Sequence, residues 1–237
     1  MNIVYSMTRN VYYKILPSLR SLAEHNPDAK VYILCEDKEL PFETPIKVTT
    51  IDISKQTAFP AIGDHRQEAF GGYINQMKVC YPSILGKLQK VIHLDIDTIV
   101  CGSLEGMWKT DVKGKWFAAV PECQTWYLPF GYPYYNMGVA LINLQQMRKD
   151  EIEKEMIEFL RTTNQPFADQ NAWNKFGSEH GKAAVLDLRY NESPVTGKTE
   201  APAIIHYCSI PDWYDNKTMD RRGYLDRYLC GEDRDLR

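Results

Sequence analysis

The segment Val91-Ile92-His93-Leu94-Asp95-Ile96-Asp97-Thr98-Ile99-Val100 sets two carboxylates, one residue apart, in an apolar and largely β-branched run. Such a run reads as a strand, and strand side chains alternate with period two. Asp95 and Asp97 are therefore expected on one face, with Ile96 pointing into the opposite layer. Two like charges at that spacing repel, and burying either without a partner costs several kcal/mol. A divalent cation resolves both problems, so the segment reads as a strand-end site of hard oxygen ligands, of the kind that neutralises a phosphate-bearing substrate. The plainer reading of Asp-x-Asp is a turn or a helix cap. Those usually sit among Gly, Ser, Asn and Pro, whereas apolar residues flank this pair on both sides.

Around this segment, periodicity alternates between strand and helix. Residues 2–7 and 30–35 read as strands, and 11–25 between them as an amphipathic helix with Val11, Ile15, Leu19 and Leu22 on one face, which makes a βαβ unit. Pro17 either kinks that helix or marks a later start. A further strand is expected at 46–53, a loop near the site at 54–72, and a helix at 73–88 with Pro82 as a kink. Strands at 116–121 and 138–144 flank an aromatic loop at 124–135. Helices follow at 145–161 and 169–176, then strands at 183–188 and 203–207 and a polar tail from 212. The class is α/β, read as one domain over 1–214 with a polar C-terminal extension at 215–237.

With 237 residues, 44% of them hydrophobic and 25% charged, the chain has the balance of a soluble globular protein long enough for one sizeable core. Its net charge of −3 argues against a nucleic-acid partner held by a basic face. The six cysteines have no Cys-x-x-Cys pair and no zinc-like spacing, and read as buried free thiols of a reducing compartment. With no apolar run of membrane-spanning length and no signal-peptide core, the expected location is cytoplasmic. Oligomeric state is not legible.

Four further segments are Ile3-Val4-Tyr5-Ser6-Met7-Thr8-Arg9-Asn10, the run from Tyr135 to Leu144, Ala168-Asp169-Gln170-Asn171, and Ile204-Ile205-His206-Tyr207-Cys208. Their order around the two aspartates resembles retaining glycosyltransferases of family 8, the group that includes glycogenin and bacterial lipopolysaccharide hexosyltransferases, from Asn2 to about Tyr214. The resemblance implies a Rossmann-like nucleotide-binding domain of the GT-A type, with a mixed, mostly parallel central sheet flanked by helices. It implies transfer of a hexose from a UDP-sugar, UDP-glucose or UDP-galactose first, to a carbohydrate or glycoconjugate hydroxyl. It also implies manganese, with magnesium as the alternative, held by Asp95, Asp97 and His206. An imidazole added to carboxylates suits Mn²⁺ better than Mg²⁺ or Ca²⁺. By the same resemblance Ser6, Thr8 and Asn10 cradle uridine, Asp95 and Ile96 contact the nucleotide, and Lys78 contacts the donor phosphate. Asn136, Asp169 and Gln170 serve the donor sugar, with Gln170 near the reacting carbon.

Each position has a plainer role. Lys78 can be an exposed helix lysine, Asn136 a loop-to-strand turn, Asp169 a helix N-cap, and His206 a core histidine. His93 shares the face of Asp95 but is read as strand filler, deeper than a strand-end metal reaches. The aromatic run from Trp126 to Tyr135 either stacks on an acceptor sugar or packs the loop.

Two departures from the family pattern matter. Thr8 stands where the family often has an acid. After His206 the chain reads Tyr207-Cys208-Ser209-Ile210-Pro211-Asp212-Trp213, without the family's Gly and Lys; Lys217, Arg221 and Arg222 are then either basic residues that reach the diphosphate in their place or solvated charges of the tail. The rivals are a haloacid dehalogenase-like phosphatase using Asp95-Ile96-Asp97-Thr98, and a non-catalytic nucleotide-sugar binder.

Overall fold

A computed structural model describes residues 1–59, 72–122, 131–163, 168–195, 197–208, 210, 213–215, 220 and 222–236. In chain order they form β1 (Asn2–Ser6), a 3₁₀ turn (Arg9–Ile15), α1 (Leu16–His25), β2 (Lys30–Cys35) and β3 (Val48–Asp52). There follow α2 (Tyr73–Gln76), a 3₁₀ turn (Met77–Cys80), α3 (Tyr81–Ile84), β4 (Val91–Leu94), β5 (Thr98–Val100), α4 (Glu105–Trp108), β6 (Phe117–Pro121) and β7 (Tyr135–Ile142). The remaining elements are α5 (Leu144–Lys149), α6 (Glu153–Thr162), α7 (Ala168–Glu179), β8 (Ala183–Val185) and β9 (Ile204–His206), with short 3₁₀ turns before and after β9.

Three expected helices have different limits. Pro17 marks a later start: it occupies the first turn of α1, where its missing N–H costs nothing, and the residues before it are 3₁₀. The helix expected at 73–88 is three short pieces, with Pro82 in the first turn of the third. The helix expected at 145–161 divides into α5 and α6 at Glu151, whose φ of 52° lies in the left-handed region. The cysteines also differ from expectation. Cys35 and Cys80 are buried free thiols and Cys101 is half-buried, whereas Cys208 and Cys230 are exposed. No described helix is long and apolar enough to cross a membrane.

The chain divides into two compact units, Met1–Ser54 with Ile92–Lys109 and Asp187–Arg237, and Lys55–Val91 with Thr110–Leu186. In the first, strands run in the order β3-β2-β1-β4 with every pairing parallel, Val4 facing both Tyr32 and His93. Separately, β5 pairs antiparallel with β9, Thr98 opposite His206 and Val100 opposite Ile204. Helix α1 carries small polar residues where it meets β5. Ser21 Oγ accepts from Val100 N at 3.0 Å, and Ser18 Oγ and Thr98 Oγ1 share a hydrogen bond of 3.1 Å. Residues near the C-terminus pack into the same unit: Leu225 and Tyr228 join Tyr13, Ile99, Ile205 and Tyr207 in one apolar cluster. Arg20 makes a two-pronged ion pair with buried Asp233.

In the second unit the order is β7-β6-β8, with β6 antiparallel to β7 and parallel to β8. Helix α7 lies close on β6, since a Cβ on Gly177 would come within 2.5 Å of the Phe117 ring. Asn174, also on α7, accepts from Tyr135 N at 2.6 Å and donates to Tyr135 O at 2.9 Å. The chain is thus α/β with mixed, mostly parallel strands and flanking helices, the class its sequence implied.

The break after α5 is held by Asp150, whose carboxylate accepts from Trp116 Nε1 at 2.7 Å, Gln146 Nε2 at 2.8 Å and Lys182 Nζ at 2.7 Å. Partial burial opposes ionisation, but these donors outweigh it and bring the carboxyl down from 3.8 to about 2. A pKa lowered by folding adds stability that is fully present above 3.8 and lost as pH falls through about 2. Asp150→Asn is therefore expected to cost about 1–2 kcal/mol in urea denaturation at pH 7. The gap to wild type should narrow as the pH is taken below 3.8.

Candidate metal and sugar-binding residues

The two aspartates are not inside one strand. β4 ends at Leu94 and β5 begins at Thr98, so Asp95, Ile96 and Asp97 form the turn that joins them. Ile96 is half-buried instead of being sunk in an opposite layer. Both ends of the turn are tied: Thr98 Oγ1 donates to Asp95 O at 2.8 Å, and Tyr207 N donates to Asp97 O at 2.9 Å. The pairing of Thr98 with His206 then delivers the imidazole to the turn, with Nε2 3.2 Å from Asp97 Oδ1 and 3.9 Å from Asp95 Oδ2.

Two residues orient this cluster. His206 Nδ1 donates to Asn191 Oδ1 at 2.9 Å, which turns Nε2 toward the carboxylates. His93, fully buried in β4, is more than filler, because its Nε2 lies 2.8 Å from Asp95 Oδ1 and holds that oxygen while Oδ2 turns toward His206. Strand periodicity places His93 on the same face as Asp95 but carries no signal of a bond between them. Nothing in the sequence pointed to Asn191.

One ligand atom each from Asp95, Asp97 and His206 lies within 4.8 Å of the others. Two carboxylate oxygens and one imidazole nitrogen fit a divalent ion of the manganese type. Burial disfavours the charged imidazole, yet Asp97, Cys208 and Asp95 outweigh it and push His206 up to about 10. A proton and a cation are thus alternative sources of positive charge between the carboxylates.

At the carboxyl ends of β1 and β2, where open α/β sheets take ligands, Ser6 is buried and Thr8 Oγ1 donates to Asn10 Oδ1 at 2.5 Å. Their neighbours Arg9, Glu36 and Asp37 form a charged group there. Arg9 pairs with Asp37 through Nε at 2.9 Å and its terminal nitrogen at 2.8 Å, while Arg9 N donates to Glu36 Oε2 at 2.8 Å. The visible signal was a pair of acids directly after a strand.

In the second unit Lys78 is not an exposed helix lysine. It is 4% exposed, with Nζ 3.4 Å from Asp169 Oδ2. Asp169 sits one residue inside α7, and Gln170 next to it accepts from Met137 N at 3.0 Å. Asn136 lies within β7, not in a turn before it. Its Nδ2 donates to Glu122 Oε1 at 2.8 Å and its Oδ1 accepts from Gly138 N at 3.0 Å, so the amide orientation is set. Tyr134 and Asn171 are hydrogen-bonded beside this group. Of the basic residues after His206, Arg222 donates to the carbonyls of Thr199 at 2.9 Å and Gly197 at 2.8 Å, while Lys217 and Arg221 lie outside the described residues. Most of the loops at 54–72 and 124–135 lie outside them too.

The profile of the family described as Glycosyl transferase family 8 matches residues 2–211. The glycosyltransferase GlyD of Streptococcus pneumoniae is 29% identical over 168 residues, which cover 66% of this chain and 19% of GlyD. Among solved structures, the galactosyltransferase LgtC, in complex with donor and acceptor sugar analogues, has a TM-score of 0.76 at 19% identity over 100% of both chains. The ligand-free glycosyltransferase GlyE of Streptococcus pneumoniae has a TM-score of 0.66 at 20% identity, over 96% of this chain and 62% of GlyE. These likenesses establish the GT-A fold. The chain spans half or less of the length of the curated relatives that it matches at 25% identity or more.

If Asn191 orients the imidazole, Asn191→Leu should weaken Mn²⁺ binding about 10- to 100-fold in calorimetry. Loading should also release about one proton per ion at pH 7, because the metal takes the neutral imidazole.

Proposed function

Because the chain belongs to glycosyltransferase family 8 and is a glycosyltransferase, we propose that it moves a hexose from a UDP-sugar to an acceptor hydroxyl with retention at the anomeric carbon, in a metal-dependent reaction. Membership implies a nucleotide-sugar donor and a carbohydrate acceptor. UDP-glucose or UDP-galactose is our reading of the donor, and the cytoplasm, where free thiols such as Cys35 and Cys80 persist, our reading of the location. The observation that carries the proposal is the convergence of Asp95, Asp97 and His206 within 4.8 Å.

A bound divalent cation, Mn²⁺ first and Mg²⁺ second, would act as a Lewis acid toward the diphosphate oxygens. The chain's own residues supply the rest. Ser6, Thr8 and Asn10 take the uridine end, with Asp95 and Ile96 beside it. Lys78 adds a fixed positive charge for the leaving diphosphate, and the carboxylate of Asp169 holds that ammonium in place. Asn136, Asp169 and Gln170 hydrogen-bond the sugar, and amides do so without adding charge next to a carbon that develops oxocarbenium character. Gln170 is a poor nucleophile, which favours attack by the acceptor hydroxyl on the face that the diphosphate leaves. Family membership also removes the support for the phosphatase reading of Asp95-Ile96-Asp97-Thr98.

A thermal-shift panel of UDP-glucose, UDP-galactose, UDP-N-acetylglucosamine and GDP-mannose, with and without Mn²⁺, tests this. One UDP-sugar should stabilise the protein by about 2.7 kcal/mol at a hundredfold excess over Kd. The effect should require the metal and vanish in Asp97→Ala. Stabilisation by the guanine donor alone, or by UDP-sugars equally without metal, would overturn the proposal. Release of UDP from the stabilising donor separates an enzyme from a binding protein.

A further inference from the structure

Gln76, the last residue of α2, is 5% exposed, and its buried Oε1 has no hydrogen-bond partner among the described residues. A buried carbonyl without a donor is costly, and native proteins rarely keep one without a use. Leu or Met would fill the position without that cost. Its neighbours Ile74 and Met77 are buried apolar residues. Lys78 follows two residues later and pairs with Asp169, while α2 and the 3₁₀ turn after it pack against α7, the helix that carries Asp169 and Gln170. Gln76 thus ends an element that packs against the helix carrying two of the residues assigned to the donor sugar.

We propose that Gln76 is a specificity-determining residue that accepts a hydrogen bond from a hydroxyl of the transferred sugar. This rests on the donor reading above. The chemistry of the atom narrows the ligand: an amide oxygen needs an O–H or N–H donor, so it selects a hydroxyl and repels phosphate oxygens. Being neutral, it reads the presence and orientation of that hydroxyl without altering the charge around Lys78 and Asp169.

The test uses the full chain with Mn²⁺ and measures calorimetric Kd values for UDP, UDP-glucose, UDP-galactose and their monodeoxy analogues, in wild type, Gln76→Leu and Gln76→Met. Removing one particular hydroxyl should weaken wild-type binding about tenfold. Both variants should bind the parent donor about tenfold more weakly and show no further loss with that deoxy analogue, while their affinity for UDP stays within about twofold of wild type. Their metal-free Tm should equal or exceed that of wild type, because an unpartnered acceptor has been removed. Gln76→Met, unbranched and close in length, serves if the leucine variant does not fold. Unchanged discrimination in the variants, an equal loss of UDP affinity, or a lower Tm with sugar preference intact would overturn the role of Gln76 alone. Failure of wild type to bind any UDP-sugar would overturn it together with the donor reading.

Discussion

Two carboxylates one residue apart repel, and the first unit is organised around holding them there. The turn between β4 and β5 is tied at Asp95 O by Thr98 and at Asp97 O by Tyr207, so neither aspartate can swing away through its backbone. The antiparallel register of β5 and β9 sets His206 opposite Thr98 and thus against both acids. A slip of one residue would turn the imidazole to the other face. Ser18 and Ser21 on α1 fix β5 through two hydrogen bonds, so helix packing and the cluster of Asp95, Asp97 and His206 depend on one another.

The side chains of the cluster are oriented in turn. Asn191 orients the ring of His206, and His93 holds one oxygen of Asp95. In the second unit Lys78 faces Asp169, Glu122 holds the amide of Asn136, and Met137 N holds Gln170. Polar groups whose rotamers are set before a ligand arrives lose little entropy when it does.

Regular elements were legible where pattern and punctuation agreed. The run 30–35 is β-branched and bounded by turn residues, and β2 has those limits. Single helices at 73–88 and 145–161 were not legible as broken, because apolar spacing continues across breaks made by a 3₁₀ turn and by Glu151. The three residues of the acid and histidine cluster could be named from sequence, but the turn that presents two of them could not, since apolar flanks suggested a continuous strand. Tertiary partners left no local signal. Burial of Lys78 runs against the usual exposure of lysine, and Asn191 and Glu122 acquire meaning only through the residues they touch.

Pulsed electron paramagnetic resonance of Mn²⁺ bound to the chain, with and without UDP, reads whether Asp95, Asp97 and His206 hold the ion together. One strongly bound ion is expected, with modulation from one directly coordinated imidazole nitrogen, lost in His206→Asn and unchanged in His180→Asn. Tight Mn²⁺ binding without nitrogen modulation, or with the same modulation after His206→Asn, would contradict this.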